Sequence, residues 1–142
     1  GETVANITVR SSSLKGTTVG GDIIPRLIDE LPIIAVAAVF ADGQTVIKDA
    51  QELKVKETNR IRAVVDEFNK CGIDITETDY GMIINGGKSI HGADFKTYGD
   101  HRMAMSLTVL AQLADSESTL DDSDCACVSY PTFFDDFYKL GE

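Results

Sequence analysis

The chain is short of basic residues: 13 lysines and arginines face 23 aspartates and glutamates, and the net charge is −10. Nucleic-acid binding needs a basic face for the phosphates, so this balance argues against a nucleic-acid partner. The three cysteines are an odd number and too few for a disulfide framework, which favours a reduced setting. The longest apolar run, residues 33–41, is about half a membrane span. We therefore expect no membrane span and a cytoplasmic location.

The composition otherwise suits one folded domain. Of the 142 residues, 43% are hydrophobic and 25% are charged, which is ordinary for a globular protein that buries a core. Cys125 and Cys127 alternate as in a strand and are predicted to share one face. A zinc site there would need two more ligands, and His91 and His101 lie in unrelated contexts. We expect neither a metal nor a cofactor.

Hydrophobic patterning predicts an α/β fold, with proline and glycine marking the ends of elements. The predicted strands and extended segments are 7–9, 14–21, 44–49, 73–76, 82–84 and 118–129, and the predicted helices are 32–41, 59–71, 101–113 and one opened by Pro131. Thr58 and Asp100 are the predicted N-caps, and a hairpin is predicted around residues 85–87. The order buried helix, strand, turn, amphipathic helix occurs twice, displaced by about 73 residues.

Residues 81–89 end in Gly-Lys-Ser, as a phosphate-binding loop does. Five residues separate Gly81 from Gly87, whereas that loop requires four between its glycines. The predicted hairpin also leads into a strand rather than a helix. Nucleotide binding is therefore not expected from this segment.

Two charged segments each precede an apolar helix. Residues 54–60 hold Lys56, Glu57 and Arg60, and residues 98–105 hold Arg102. An arginine in the first helical turn opposes the helix dipole and costs roughly 0.3–1 kcal/mol unless an anion is near. These helix starts therefore suggest a site for an anionic ligand. The alternatives are a solvated charge run and salt bridges to nearby acids, and Asp29 is equally well interpreted as a plain cap before Pro32.

Together these segments resemble the 5-enolpyruvylshikimate-3-phosphate synthase family. The resemblance rests on Asp29 with residues 40–43, and on residues 54–60, 98–105 and 129–134, in matching order and spacing. It implies an inside-out α/β barrel domain built of repeated βαβαββ units. Residues 1–142 would supply about two units of one domain, from the C-terminal part of a longer chain. The family's other domain would be missing, so we expect the isolated chain to be inactive.

The resemblance also implies the chemistry, with no metal or cofactor. Family members transfer the enolpyruvyl group of phosphoenolpyruvate to the 5-hydroxyl of shikimate 3-phosphate and release phosphate. Asp29 matches the carboxylate that orients and deprotonates this hydroxyl, and Glu57 matches the group that handles the methylene proton. Lys56 matches the lysine that contacts shikimate 3-phosphate. Arg60 and Arg102 match the two arginines that clamp phosphoenolpyruvate, and a monomeric full-length enzyme is expected.

Two positions depart from part of the family. Some members carry a lysine where this chain has Val128, and an asparagine where it has Glu52. An extra phosphate contact is therefore missing or replaced here. Two alternatives stay open: an enolpyruvyl transferase of the UDP-N-acetylglucosamine type, and a non-catalytic anion-binding domain.

Overall fold

A computed structural model describes residues 1–140 of the chain. It has six short strands: β1 (Thr18–Val19), β2 (Gln44–Ile47), β3 (Asp74–Thr78), β4 (Gly81–Asn85), β5 (Asp94–Phe95) and β6 (Thr119–Leu120). The α-helices are α1 (Ile24–Leu27), α2 (Leu31–Val39), α3 (Arg60–Lys70), α4 (His101–Gln112) and α5 (Phe133–Lys139). Short 3₁₀ helices span Gly21–Ile23, Gln51–Val55 and Asp124–Val128. The mixed α/β class predicted from the pattern is confirmed.

The strands form a four-stranded sheet and a separate pair. The sheet order is β1-β2-β4-β3, with β1 parallel to β2 and the other neighbours antiparallel. The connection from β1 to β2 runs through α1 and α2. In the same way, α4 connects β5 to the parallel strand β6. Helix crossovers of this kind are what parallel strand pairs require.

The core lies between the sheet and the three longest helices. Helix α2 is apolar nearly all round, and it packs against both α3 and α4. The predicted stripe on α3 is buried, with its members Ile61, Val64, Val65 and Phe68 each at most 6% exposed. The starts of α3 and α4 lie close together, since the first residue of α3 is hydrogen-bonded to the N-cap residue of α4. Their N-termini therefore lie near the turn that precedes α2.

The predicted internal repeat is present in the structure. The C-caps of α2 and α4 are Phe40 and Leu113, which lie 73 positions apart. The same displacement relates two 3₁₀ helices, Gln51–Val55 and Asp124–Val128, and it relates the starts of α3 and α5. The first unit continues beyond α3 into the strands β3 and β4. Within residues 1–140 no strands follow α5 in the second unit.

Two strand predictions are wrong. Residues 7–9 have no strand partner within the described chain, and Ile7 and Val9 are almost fully exposed. A strand needs a neighbour for its backbone hydrogen bonds, and β-branched residues alone do not supply one. In the segment 118–129 only β6 is a strand. The rest includes the 3₁₀ helix Asp124–Val128, so Cys125 is buried while Cys127 is exposed.

The predicted hairpin around residues 85–87 is also wrong. The chain reverses earlier, between β3 and β4, at Asp79 and Tyr80. Gly86 instead lies against the end of α2, where an added Cβ would come within 2.3 Å of the Ala38 carbonyl oxygen and 2.4 Å of that of Ala41. The glycine therefore permits a close approach of two backbones. The phosphate-loop alternative also fails, because residues 81–85 form β4 and the next element along the chain is the strand β5 rather than a helix.

We expect Gly86→Ala to lower the stability of the protein by about 1–3 kcal/mol, because a backbone carbonyl cannot move aside as a flexible side chain can. The measurement is the shift in the urea unfolding midpoint. The matched control is Lys88→Ala, which truncates a nearby exposed side chain. Equal midpoints for Gly86→Ala and the control would contradict the close packing described here.

Candidate functional site

Five side chains selected from the sequence lie together at the adjoining starts of α3 and α4. They are Asp29, Lys56, Glu57, Arg60 and Arg102, and hydrogen bonds or ion pairs connect all of them. Asp29 lies in the turn before α2, Lys56 and Glu57 precede α3, and the two arginines belong to the first turns of α3 and α4. The close packing of α2, α3 and α4 brings these three chain segments to one place.

Arg60 is the centre of the cluster and is only 1% exposed. Its Nε donates to Asp100 Oδ2 at 2.8 Å, and its Nη2 donates to Asp100 Oδ1 at 3.2 Å. Nη1 donates to Asp29 Oδ1 at 2.9 Å, and Nη2 also donates to Glu57 Oε2 at 2.8 Å. Four of its five N–H donors are thus engaged, and within residues 1–140 one Nη1 hydrogen is left for a ligand.

The salt-bridge alternative is therefore partly correct for Arg60. Burial works to lower the pKa of its guanidinium, but the hydrogen bond and charge of Asp100, followed by Asp29 and Glu57, outweigh it and raise the pKa above its ordinary value. The side chain stays charged at every relevant pH. A buried, permanently charged and rigidly held guanidinium is suited to binding phosphate or carboxylate groups.

Asp29 faces three cations from the more open side of the cluster. Besides Arg60, Lys56 Nζ lies 3.5 Å from its Oδ1, and Arg102 Nη2 lies 3.9 Å from its Oδ2. Partial burial works to raise the pKa of this carboxyl. The Arg60 hydrogen bond and the charges of Lys56 and Arg102 together lower it below 3.8. Asp29 does not cap α2 within residues 1–140, because the N-cap of that helix is Glu30.

Helices α3 and α4 begin on side-chain caps. Asp100 caps α4 as predicted, accepting from the backbone N–H of Arg102 at 2.9 Å and of Met103 at 3.3 Å. The cap of α3 is Asn59 rather than the predicted Thr58, because Asn59 Oδ1 accepts from the backbone N–H of Arg62 at 3.2 Å. Both residue types are favoured caps, so the sequence alone did not separate these neighbours.

Arg102 is less fully paired than Arg60. Its Nη1 lies 3.5 Å from Glu30 Oε1, and its buried Nε has no hydrogen-bond partner in the part of the chain described. A cavity of about 260 Å³ adjoins it. Ile33, Met105 and Phe133 line this cavity together with Asp29, Glu30 and Tyr130. The cluster therefore borders an open space that combines an underused guanidinium with apolar walls.

Exposure shows how a ligand would reach the cluster. The side chains of Lys56, Arg102, Asp29 and Glu57 are between 29% and 49% exposed, whereas that of Asp100 is 0% exposed. A ligand can therefore approach Asp29 and Glu57 directly, with Arg60 beneath them and Asp100 at the base. Val128 and Glu52, the positions that differ from part of the family, are exposed.

Sequence reasoning missed Glu67, a buried carboxylate that contacts the loop before Asp100. Glu67 is 1% exposed and accepts from the Tyr98 hydroxyl at 2.9 Å and from the backbone N–H of Lys96 at 2.9 Å. Burial, followed by the bond to Glu67, raises the pKa of Tyr98 to about 12. These contacts fix the loop that leads into Asp100. The available signal was a glutamate at the edge of the apolar stripe of α3, three residues after Val64.

Residues 1–140 contain neither a candidate metal site nor a membrane-spanning helix. No group of three or more histidine, cysteine, aspartate or glutamate side chains is placed to hold a metal ion. No described helix is both long enough and apolar enough to cross a membrane.

Comparison with known proteins gives one consistent family. Residues 1–137 match the family model of EPSP synthase (3-phosphoshikimate 1-carboxyvinyltransferase). Proteins with the name 3-phosphoshikimate 1-carboxyvinyltransferase from Bacillus cereus strain B4264 and from Listeria innocua serovar 6a are each 55% identical over 141 residues. The match covers 99% of this chain and 33% of each relative. The chain therefore spans about a third of the length of these relatives.

Solved structures agree with this assignment. An EPSP synthase from Acinetobacter baumannii superposes with a TM-score of 0.83 at 38% identity, covering 87% of this chain and 29% of that one. The enolpyruvyl transferase NikO from Streptomyces tendae gives a TM-score of 0.68 at 22% identity over 91% of this chain, a likeness of fold alone. The predicted enolpyruvyl-transferase fold is confirmed, and the chain belongs to the EPSP synthase family.

Proposed function

We propose that the full-length protein containing this chain transfers the enolpyruvyl group of phosphoenolpyruvate to the 5-hydroxyl of shikimate 3-phosphate and releases phosphate. The observation that supports this most is the meeting of Asp29, Lys56, Glu57, Arg60 and Arg102 in one half-open cluster. Family membership supplies the reaction, and the cluster supplies groups of the right chemistry for it. Residues 1–142 form a one-domain part of that protein.

The substrate groups match the charges of the cluster. Phosphoenolpyruvate carries a phosphate and a carboxylate, and Arg60 and Arg102 provide two guanidinium groups for them. Lys56 lies beside Asp29 and provides a cation for shikimate 3-phosphate. Because Asp29 and Glu57 already pair with Arg60, an arriving anion competes with them. Binding would therefore loosen these two carboxylates from Arg60 and make them available for proton transfer.

The two exposed carboxylates have different roles in proton transfer. A bond forms between the 5-hydroxyl oxygen and C2 of phosphoenolpyruvate, and the bond from C2 to the phosphate oxygen breaks. Asp29 orients the hydroxyl and accepts its proton as the new bond forms, while Glu57 donates a proton to the methylene carbon. Glu57 then takes a proton back from that carbon as the double bond re-forms and phosphate leaves. The lowered pKa of Asp29 keeps it ionised near neutral pH. It is therefore a weak base that acts when the hydroxyl becomes acidic in the transition state.

The remaining expectations concern the setting of the whole protein. We place it in the cytoplasm as a monomer that acts in the synthesis of chorismate and aromatic amino acids. Neither a nucleic acid nor a membrane belongs to its partners. The net charge of −10 is consistent with small anionic substrates only because the cations of the site are clustered.

The decisive experiment measures phosphate release from phosphoenolpyruvate and shikimate 3-phosphate. We expect turnover by the full-length protein and none by residues 1–142 alone, since the site needs groups from the rest of the protein. UDP-N-acetylglucosamine in place of shikimate 3-phosphate should give no turnover. A folded full-length protein that uses only UDP-N-acetylglucosamine would support the other transferase. A folded protein with no activity on either would support an anion-binding domain.

A further inference from the structure

Asp100 forms two sets of contacts that the proposed roles leave unexplained. Its Oδ1 caps α4 by accepting from the backbone N–H of Arg102 and of Met103, and it also accepts from Arg60 Nη2 at 3.2 Å. Its Oδ2 accepts from Arg60 Nε at 2.8 Å. One carboxylate thus fixes the guanidinium of Arg60 and the backbone that carries Arg102.

The burial of Asp100 separates it from the other carboxylates of the site. Its side chain is 0% exposed, whereas Asp29 and Glu57 are 41% and 49% exposed. A substrate can displace the two exposed carboxylates from Arg60, but it has no path to the buried one. When the ligand is bound, Asp100 therefore still holds Arg60 through its Nε side, which leaves the outer N–H groups directed at the ligand.

We propose that Asp100 is a positioning residue, which sets the distance and angle between the two guanidinium groups that receive phosphoenolpyruvate. This inference rests on the proposed function. Asp100 touches neither substrate in it and acts through Arg60 and the first turn of α4. A two-point anion site gains affinity when its two donors are held in place before the ligand arrives.

Asp100→Asn tests the contact with Arg60 Nε separately from the cap of α4. The amide oxygen can still cap α4, because asparagine is as good an N-cap as aspartate. The amide nitrogen then meets Arg60 Nε, and two donors face each other. In the full-length protein we expect KM for phosphoenolpyruvate to rise about tenfold or more, with KM for shikimate 3-phosphate nearly unchanged. Asp100→Ser retains an oxygen that can cap α4 but removes the second oxygen, which accepts from Arg60 Nε, and the same split is expected.

The matched control is Asp121→Asn. Asp121 Oδ1 accepts from the backbone N–H and the hydroxyl of Thr97 at 2.8 Å and 2.9 Å, so it holds the same loop without touching an arginine. We expect Asp121→Asn to lower the thermal unfolding midpoint without a selective rise in KM for phosphoenolpyruvate over KM for shikimate 3-phosphate. A purely structural Asp100 would behave like this control.

Each outcome decides the inference. A selective rise in KM for phosphoenolpyruvate in either Asp100 variant supports it. An active wild type whose Asp100 variants show unchanged KM values, or equal rises for both substrates, overturns it and leaves the proposed function intact. Loss of folding in both variants shows that Asp100 is needed for stability instead, and also overturns it. A folded wild type without phosphate release overturns the proposed function and this inference together.

Discussion

Replacing Asp29 by asparagine in the full-length protein should lower the rate of phosphate release by roughly 10²–10⁴-fold, the usual contribution of a positioned acid–base group. The amide has the same shape, so it still accepts a hydrogen bond from Arg60, but it cannot take the hydroxyl proton. The measurement is kcat at saturating concentrations of both substrates. Asp42→Asn is the matched control, since Asp42 is an exposed aspartate whose side chain pairs only with Lys15 within residues 1–140.

The pH dependence provides a second test of Asp29. Its pKa is lowered in the folded protein, so its ion pairs stabilise the fold fully above pH 3.8, and this contribution is lost as the pH falls through the lower, folded value. Asp29→Asn should therefore show less loss of thermal stability than the wild type below pH 3.8. A variant with wild-type kcat would exclude Asp29 from proton transfer, whatever its effect on stability.

Replacing Arg60 by methionine should destabilise the fold by about 3–5 kcal/mol, the range for a buried ion pair that loses one partner. Methionine fills much of the space, but the buried carboxylate of Asp100, which is 0% exposed, would lose its guanidinium partner. The helix dipole and cap contacts of α4 offset only part of that loss. The same variant should also raise KM for phosphoenolpyruvate. Thermal unfolding and substrate saturation curves measure the two effects.

Arg62→Met is the control for this second variant. Arg62 lies two residues further along α3, its side chain is 63% exposed, and it pairs with Asp66 and Glu77 at the surface. We expect no marked change in unfolding temperature or KM, since exposed ion pairs contribute little. If the Arg60 variant is as stable as this control, the buried cluster does not hold the three helices together in the way we describe.

Much of the site was predictable because its residues break local rules. Arginines in the first turns of α3 and α4 oppose the helix dipole, and charges crowded before α3 mark the same place. The cap Asp100, the stripe on α3 and the buried helix α2 also follow from short-range patterns. The resemblance to the family supplied the substrates and the individual roles, which no pattern of charge or periodicity contains.

What the sequence did not predict depends on contacts between distant segments. Gly86 resembled a turn glycine, but its role comes from carbonyl groups of α2. The segment 7–9 resembled a strand, yet strand formation depends on a neighbour. The hydrogen bond from Lys96 to Glu67 joins residues 29 positions apart. The hydrogen bond from Arg60 to Asp100 joins residues 40 positions apart. Such pairings are set by the packing of whole elements rather than by local preference.

The repeated unit has one consequence for the charges at the site. Asp29 and Arg102 are also 73 positions apart, so they occupy one position in two copies, and they approach to 3.9 Å. If both copies carried the same charged residue, this contact would join two like charges, which would repel each other at this distance. The opposite signs found here make the contact an attraction instead. The asymmetry of the two halves thus places a carboxylate and a guanidinium side by side where the halves meet.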